Sequence, residues 1–137
     1  MTAVGLITIK SNNGPRDTMT RLKAAVIAEG MTVFAHVDHA EAAATVNMKL
    51  RPTHLLIFGS PKGGTPLMQA VQTAGIDLPL KALVWEDETE TTWLSYIDPT
   101  WIAARHHADT EAKAAVRAMV AALDVVTSAA TSSLPDR

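Results

Sequence analysis

The chain has no cysteine in 137 residues. That excludes disulfides, thiolate nucleophiles, zinc ribbons and iron–sulfur clusters together, and it fits a reducing compartment. Aromatic residues are scarce, at 4%, which argues against a platform for stacked bases. Neither sign of charge dominates: the net charge is -2 and no Lys/Arg-rich run stands out. The electrostatic footprint of a nucleic-acid binder is therefore missing. The N-terminus, "MTAVGLITIKSNNG", has no basic n-region and only a short apolar run, unlike a signal peptide. No stretch reads as the ~18 consecutive apolar residues that a membrane helix needs. The expectation is a cytoplasmic protein with no membrane and no nucleic acid among its partners.

What is present reads as one globular domain. Hydrophobic residues make up 47% and charged residues 19%, ordinary globular values, and the length suits a single core. Strands are expected over Val4 to Lys10, Thr32 to Val37, His54 to Phe58, Leu80 to Trp85 and Thr92 to Ile97, where β-branched and apolar residues cluster. The first helix opens at Pro15, carries Met19, Leu22 and Val26 at helical spacing, and stops at Gly30. Asp38 with Glu41 makes a capping-box pattern ahead of a short helix over residues 40–46. Pro66 to Ala74 reads as another short helix closed by Gly75. Asp98-Pro99 opens a helix to about Arg105. The last helix, capped by Asp109 or Thr110, places Val116, Met119, Val120, Leu123 and Val126 on one stripe. The domain is expected to span residues 1–127, with a flexible tail over 128–137. The order β-α-β-α-β-α-β-β-α-α gives an α+β fold, a mixed sheet of about five strands with helices packed on it and an amphipathic C-terminal helix.

"GSPKGGTPL", Gly59 to Leu67, follows a buried strand and precedes a helix, the order found in phosphate loops. A phosphate loop sets its lysine directly before the hydroxyl residue. Here Lys62 precedes Gly63, Gly64 and Thr65, so nucleotide hydrolysis is not expected. As a plain turn, Thr65 caps the helix and Pro66 takes its first position. As a site, free N–H groups beside a cation suit a small anionic ligand held by Lys62, Gly63, Gly64 and Thr65. Lys81 would strengthen such a site if it lay beside Lys62.

The histidines form a second set. Phe34, His36 and Asp38 alternate onto one face of their strand, and His54, Leu56 and Phe58 onto one face of theirs. His36 and His54 meet if the strands are neighbours, and both are then expected, with the Gly59–Leu67 loop and Lys81, among the ligand-binding residues. A metal is not expected; the alternative ligand set is His36, Asp38 and His39. His106-His107 suits a helix C-terminus. The acids Glu86, Asp87, Glu88 and Glu90 read as a solvated hairpin turn, with Asp87 set apart because it closes a strand.

"LKAAVIAEGMTVFAHVDHAEAA", "LRPTHLLIFGSPKGGTPLMQA", "DLPLKALVWED" and "WLSYIDPTWIAARH" resemble, in order and spacing, the bacterial and archaeal family called domain of unknown function 302. The resemblance spans residues 5–107. It implies a small α+β domain that associates as a homodimer, and it brings no established enzymatic activity. The sequence departs from the family pattern at Ser60, where asparagine is usual, and in the turn "DETETT", which lacks the usual glycine. Three functions stay open: a ligand-binding or sensing domain, an enzyme using a histidine acid/base on a small anionic substrate, and a dimerisation or interaction module. The cofactor is unknown.

Overall fold

A computed structural model describes residues 3–108 and 110–133. Five strands, β1 (Leu6–Lys10), β2 (Thr32–Asp38), β3 (Thr53–Gly59), β4 (Leu80–Glu86) and β5 (Thr92–Ile97), form one sheet in the order β1-β5-β4-β3-β2. Five α-helices accompany it: α1 (Pro15–Ala28), α2 (His39–Ala44), α3 (Pro61–Ala70), α4 (Pro99–Arg105) and α5 (Lys113–Thr131). The fold is α+β.

Every neighbouring pair of strands is antiparallel, which corrects the expected mixed sheet. The alternation of strands and helices suggested parallel crossovers. A parallel return must carry the chain back along the whole strand, usually on a helix. Here α2 is one short segment, and α3 is followed by a 3-10 turn, Gln72–Ile76, that brings the chain back to the end it left. Both connections reverse direction, and sequence order alone does not separate a reversing helix from a crossing one.

The core lies between one sheet face and the two long helices. Leu56 and Phe58 of β3, Ala82 and Val84 of β4, and Leu94 of β5 are buried against Leu22 and Val26 of α1 and Leu123 and Val126 of α5. α1 packs on β2, β3 and β4, and α5 packs on α1, α3 and α4. Along each strand the alternate residues point to the other face. There Leu55, Ile57, Leu83, Trp85 and Trp93 remain partly exposed. Trp85 and Trp93 face each other across β4 and β5 with ring centroids 6.3 Å apart.

α5 continues past residue 127, where the domain was expected to end. Thr127, Ala130 and Thr131 are buried, Asn12 donates its backbone N–H to the Thr131 carbonyl, and the Asn13 side-chain amide donates to the carbonyls of Ala130 and Ser132. These contacts hold the last turn that composition alone reads as a fraying end. Residues 134–137 of the expected tail, and Asp109 as a cap, lie outside the described residues. α5 is also long and apolar enough to cross a bilayer, with a mean hydropathy of 1.4, contrary to the sequence expectation. Its buried stripe is part of the core.

Candidate functional site

Two concave regions hold the residues singled out by sequence. The first is built around Gly59 to Leu67. α3 begins at Pro61, so Lys62, Gly63, Gly64 and Thr65 are helical, and Pro66 lies inside the helix. This corrects the expected start, with Thr65 as cap and Pro66 in first position. Pro61 supplies the φ that a first helical residue needs. The two glycines follow it into helical geometry although they disfavour it. The amides of Gly63 and Gly64 both donate to the Ser60 carbonyl, at 2.9 and 3.0 Å, so those two N–H groups already have acceptors.

Gly63, Gly64 and Thr65 instead face a pocket of about 370 Å³ between α3, α5 and the neighbouring ends of β3 and β4. Its walls are apolar: Met31, Phe34, Met68, Leu78 and Met119 contribute side chains, and Gly59 and Gly64 contribute bare backbone. A Cβ at Gly64 would stand 3.5 Å from Leu78 Cδ1, and one at Gly59 would stand 3.7 Å from Pro79 Cβ. Lys62 is not part of the lining. Lys81 is not either: its ammonium donates to the carbonyls of Asp77 (3.3 Å) and Pro79 (3.2 Å). The structure does not assemble the loop, Lys62 and Lys81 into one cationic site.

The second region is a cleft between α1 and the β2–β3 edge. It is lined by His36, Asp38 and His54 on the sheet, Arg16 and Lys23 on α1, and Glu41 on α2. A register shift between Val33 and Ala35 inserts Phe34 as an extra residue in β2. Beyond it, His36 opposes Leu56 and Asp38 opposes His54. Without the extra residue, side chains beyond this point would turn to the opposite face. With it, His36 and His54 meet: His36 Nε2 lies 3.0 Å from His54 Nδ1. Asp38 accepts the Glu41 backbone N–H at 2.9 Å, as the capping pattern implied, and its Oδ2 is 3.9 Å from His54 Nδ1.

The cleft holds its ionisable groups in different states. Burial lowers the His36 pKa from 6.5, with Lys23 and His54 adding to the effect. The Glu41 N–H, ahead of the nearby histidines, lowers that of Asp38. A neutral His36 and an ionised Asp38 follow near neutral pH. Two linked imidazoles can relay a proton. No group of three or more His, Asp or Glu residues among those described is placed to hold a metal ion, and His39, at the exposed start of α2, does not complete the His36/Asp38 set. Sequence reasoning missed Arg16 and Lys23. Their spacing of seven along an amphipathic helix was the available signal.

Two further clusters tie parts of the fold together. Asp77 accepts from Arg105 Nη1 at 2.8 and 3.0 Å and lies 2.6 Å from His106 Nε2, joining the 3-10 turn to the end of α4. The expected role of His106 at a helix end is thus combined with a hydrogen bond to a residue that sequence did not single out. In the β4–β5 turn, Asp87 accepts from Trp93 Nε1 at 2.8 Å and from the backbone of Thr89 and Thr91.

Comparison with known proteins adds family and fold. Two relatives named fluoride-specific ion channel FluC 1, from Brucella suis and Brucella abortus, are each 42% identical over 123 residues. The match covers 90% of this chain but 48% and 46% of those proteins, so the chain spans about half the length of the relatives it matches. The crystal structure of an uncharacterized conserved DUF302 protein from Bacillus stearothermophilus superposes with a TM-score of 0.82 at 19% identity, over 93% of this chain and 99% of that one. Residues 7–126 match the family described as domain of unknown function DUF302, and the chain belongs to that family.

Proposed function

We propose that this chain is a ligand-binding domain whose ligand is a small, largely apolar molecule held in the pocket beside α3. The supporting observation is the wall itself, with methionines and bare glycine backbone around a concave space. Binding pockets of roughly 300–1,000 Å³ with apolar linings are the usual form of small-molecule sites. Methionine adapts its shape to what it packs against, and glycine lets a ligand approach the main chain. The expected homodimer is part of this reading: two copies pair through the sheet face that bears Leu55, Ile57, Leu83 and Trp85, in a reducing cytoplasm.

Native mass spectrometry on protein purified without chelator or polyhistidine tag, followed by denaturing mass analysis, tests both points. A dimer with extra mass that is lost in Gly64→Leu, which fills the pocket, supports the reading. A retained adduct in that variant places the ligand elsewhere. If wild type carries no adduct, 1-anilinonaphthalene-8-sulfonate titration decides. Fluorescence enhancement that Gly64→Leu removes supports the pocket, and none in wild type overturns it. A monomer at all concentrations removes the dimer.

A second reading rests on the FluC relatives. Their matching half corresponds to a domain in which α5, the one described helix long and apolar enough to span a bilayer, has its apolar stripe in the core. A channel needs a wall of spanning segments, so the other half of those proteins is the better candidate for the pore. On that reading this domain acts beside a fluoride channel. Deleting the matching half from the Brucella suis protein and measuring fluoride efflux from liposomes tests it. Altered flux that this chain restores when added separately supports the reading; unchanged flux removes it.

A further inference from the structure

We propose that the cleft between α1 and the β2–β3 edge binds a tetrahedral oxyanion, the sulfate or phosphoryl group of a small molecule, through Lys23 and the His36–His54 pair with Arg16 at the mouth. This site is separate from the apolar pocket and stands or falls without it.

The first argument is a pair of cations without a direct partner. Lys23 is partly buried and close enough to His36 to disfavour its protonation. Neither Lys23 nor Arg16 has an ion-pair or hydrogen-bond partner among the described residues, whereas Arg21 of the same helix pairs with Asp17. A partly buried ammonium near an imidazole, with no direct bond to either carboxylate of the cleft, is available to a bound anion.

The second argument is proton geometry. The 3.0 Å contact joins Nε2 of His36 to Nδ1 of His54. While both rings are neutral, one proton lies between them. Of the two outer nitrogens, His36 Nδ1 and His54 Nε2, one carries hydrogen and the other is a bare acceptor. One added proton makes both outer nitrogens donors and keeps the inner hydrogen bond. The pair then presents two N–H groups and a positive charge beside Lys23. Charge-assisted bonds of this kind are the strong ones for oxyanions.

The charged and titratable groups facing the pair are Arg16 and Lys23 on α1, Asp38 on β2 and Glu41 on α2. With both imidazoles neutral, two cations offset two carboxylates. Asp38 is already engaged by the Glu41 N–H. The extra imidazole proton tips the cleft positive, so anion binding and proton uptake are linked.

Inorganic sulfate is the probe, because its charge does not change across the imidazole range. Binding is measured by calorimetry and by amide NMR, in low-ionic-strength chloride at about pH 5.5 and about pH 8, on either side of the ordinary histidine pKa. The expected result is saturable binding about tenfold tighter at the lower pH, with up to one proton taken up per sulfate. Amide shifts should be confined to the neighbourhood of Lys23, His36 and His54. Lys23→Met should weaken binding about tenfold or more, as loss of a charged donor does. His36→Gln should remove the pH dependence, and Lys62→Ala should change neither. Unchanged thermal midpoints would show that the variants fold. Shifts scattered over the surface, affinity unchanged in Lys23→Met, or loss only in Lys62→Ala would each overturn the proposal.

Discussion

His36 and His54 are bonded ring to ring, Nε2 to Nδ1 at 3.0 Å, on adjacent antiparallel strands. Partial desolvation of the His36 ring, with Lys23 and His54 adding to it, lowers its pKa below 6.5. The unfolded chain therefore binds more protons than the folded one as pH drops through that value. The His36 contribution to stability is fully present above about pH 6.5, declines on acidification, and levels off below the folded pKa. Chemical denaturation in chloride buffers should show this fall, and His36→Gln should flatten it. A wild-type stability that rises between pH 6.5 and pH 5 would contradict the burial argument.

Asp87 shows the opposite titration sign. Trp93 Nε1, the Thr89 hydroxyl and two backbone amides hold its carboxylate, and its pKa falls from 3.8 to about 2. A depressed carboxylate contributes stability above its unfolded pKa and loses it as pH falls toward the folded value. The β4–β5 turn should therefore loosen between about pH 4 and about pH 2, seen as a change in Trp93 fluorescence. Asp87→Ala should lower the thermal midpoint at neutral pH and remove that acid transition. Persistence of the transition in the variant would assign it to another group.

These two sites show what sequence could and could not reveal. The turn around Asp87 and the caps at Asp38 and Asp98 depend on near neighbours, and both capping carboxylates accept the expected kind of backbone N–H. Strand positions and the stripe of α5 follow from period alone. The meeting of His36 with His54 depended on two non-local facts, that β2 and β3 are neighbours and that Phe34 is an extra residue in the register. The helical start at Pro61 was hidden because glycine pairs normally mark loops. The antiparallel sheet was hidden because helices that double back have the same pattern as helices that cross over. Arg16 and Lys23 went unnoticed since cations on an amphipathic helix ordinarily face solvent.

Gly63 and Gly64 should respond differently to substitution. Both lie in the first turns of α3, and a Cβ on Gly63 would meet nothing within 4 Å. Gly63→Ala should therefore stabilise the fold, by roughly 0.5–1 kcal/mol, because alanine loses less backbone freedom in a helix. Gly64→Ala should gain somewhat more, since its Cβ adds ordinary van der Waals contact with Leu78 and Met68. Urea denaturation of the two variants makes the comparison. Destabilisation by Gly63→Ala would show that the position needs a bare backbone, as it would if it contacted a partner or ligand.

The length and hydropathy of α5 suit a bilayer as well as a core, and substitution on its two faces separates the alternatives. Leu123 is 1% exposed and Val125 is 49% exposed. In a core helix, Leu123→Ala opens a cavity and destabilises by about 2–5 kcal/mol. Val125→Lys on the exposed face of the same helix changes stability by about 0.5 kcal/mol or less. In a lipid-embedded helix the order reverses, since leucine to alanine is mild and a central lysine costs about 2.5–3.5 kcal/mol for insertion. Urea denaturation of both variants in detergent-free buffer gives the comparison. A severe loss of folded protein in Val125→Lys with little change in Leu123→Ala would place α5 in a membrane. The opposite ranking fixes it as a core helix packed on α1, α3 and α4.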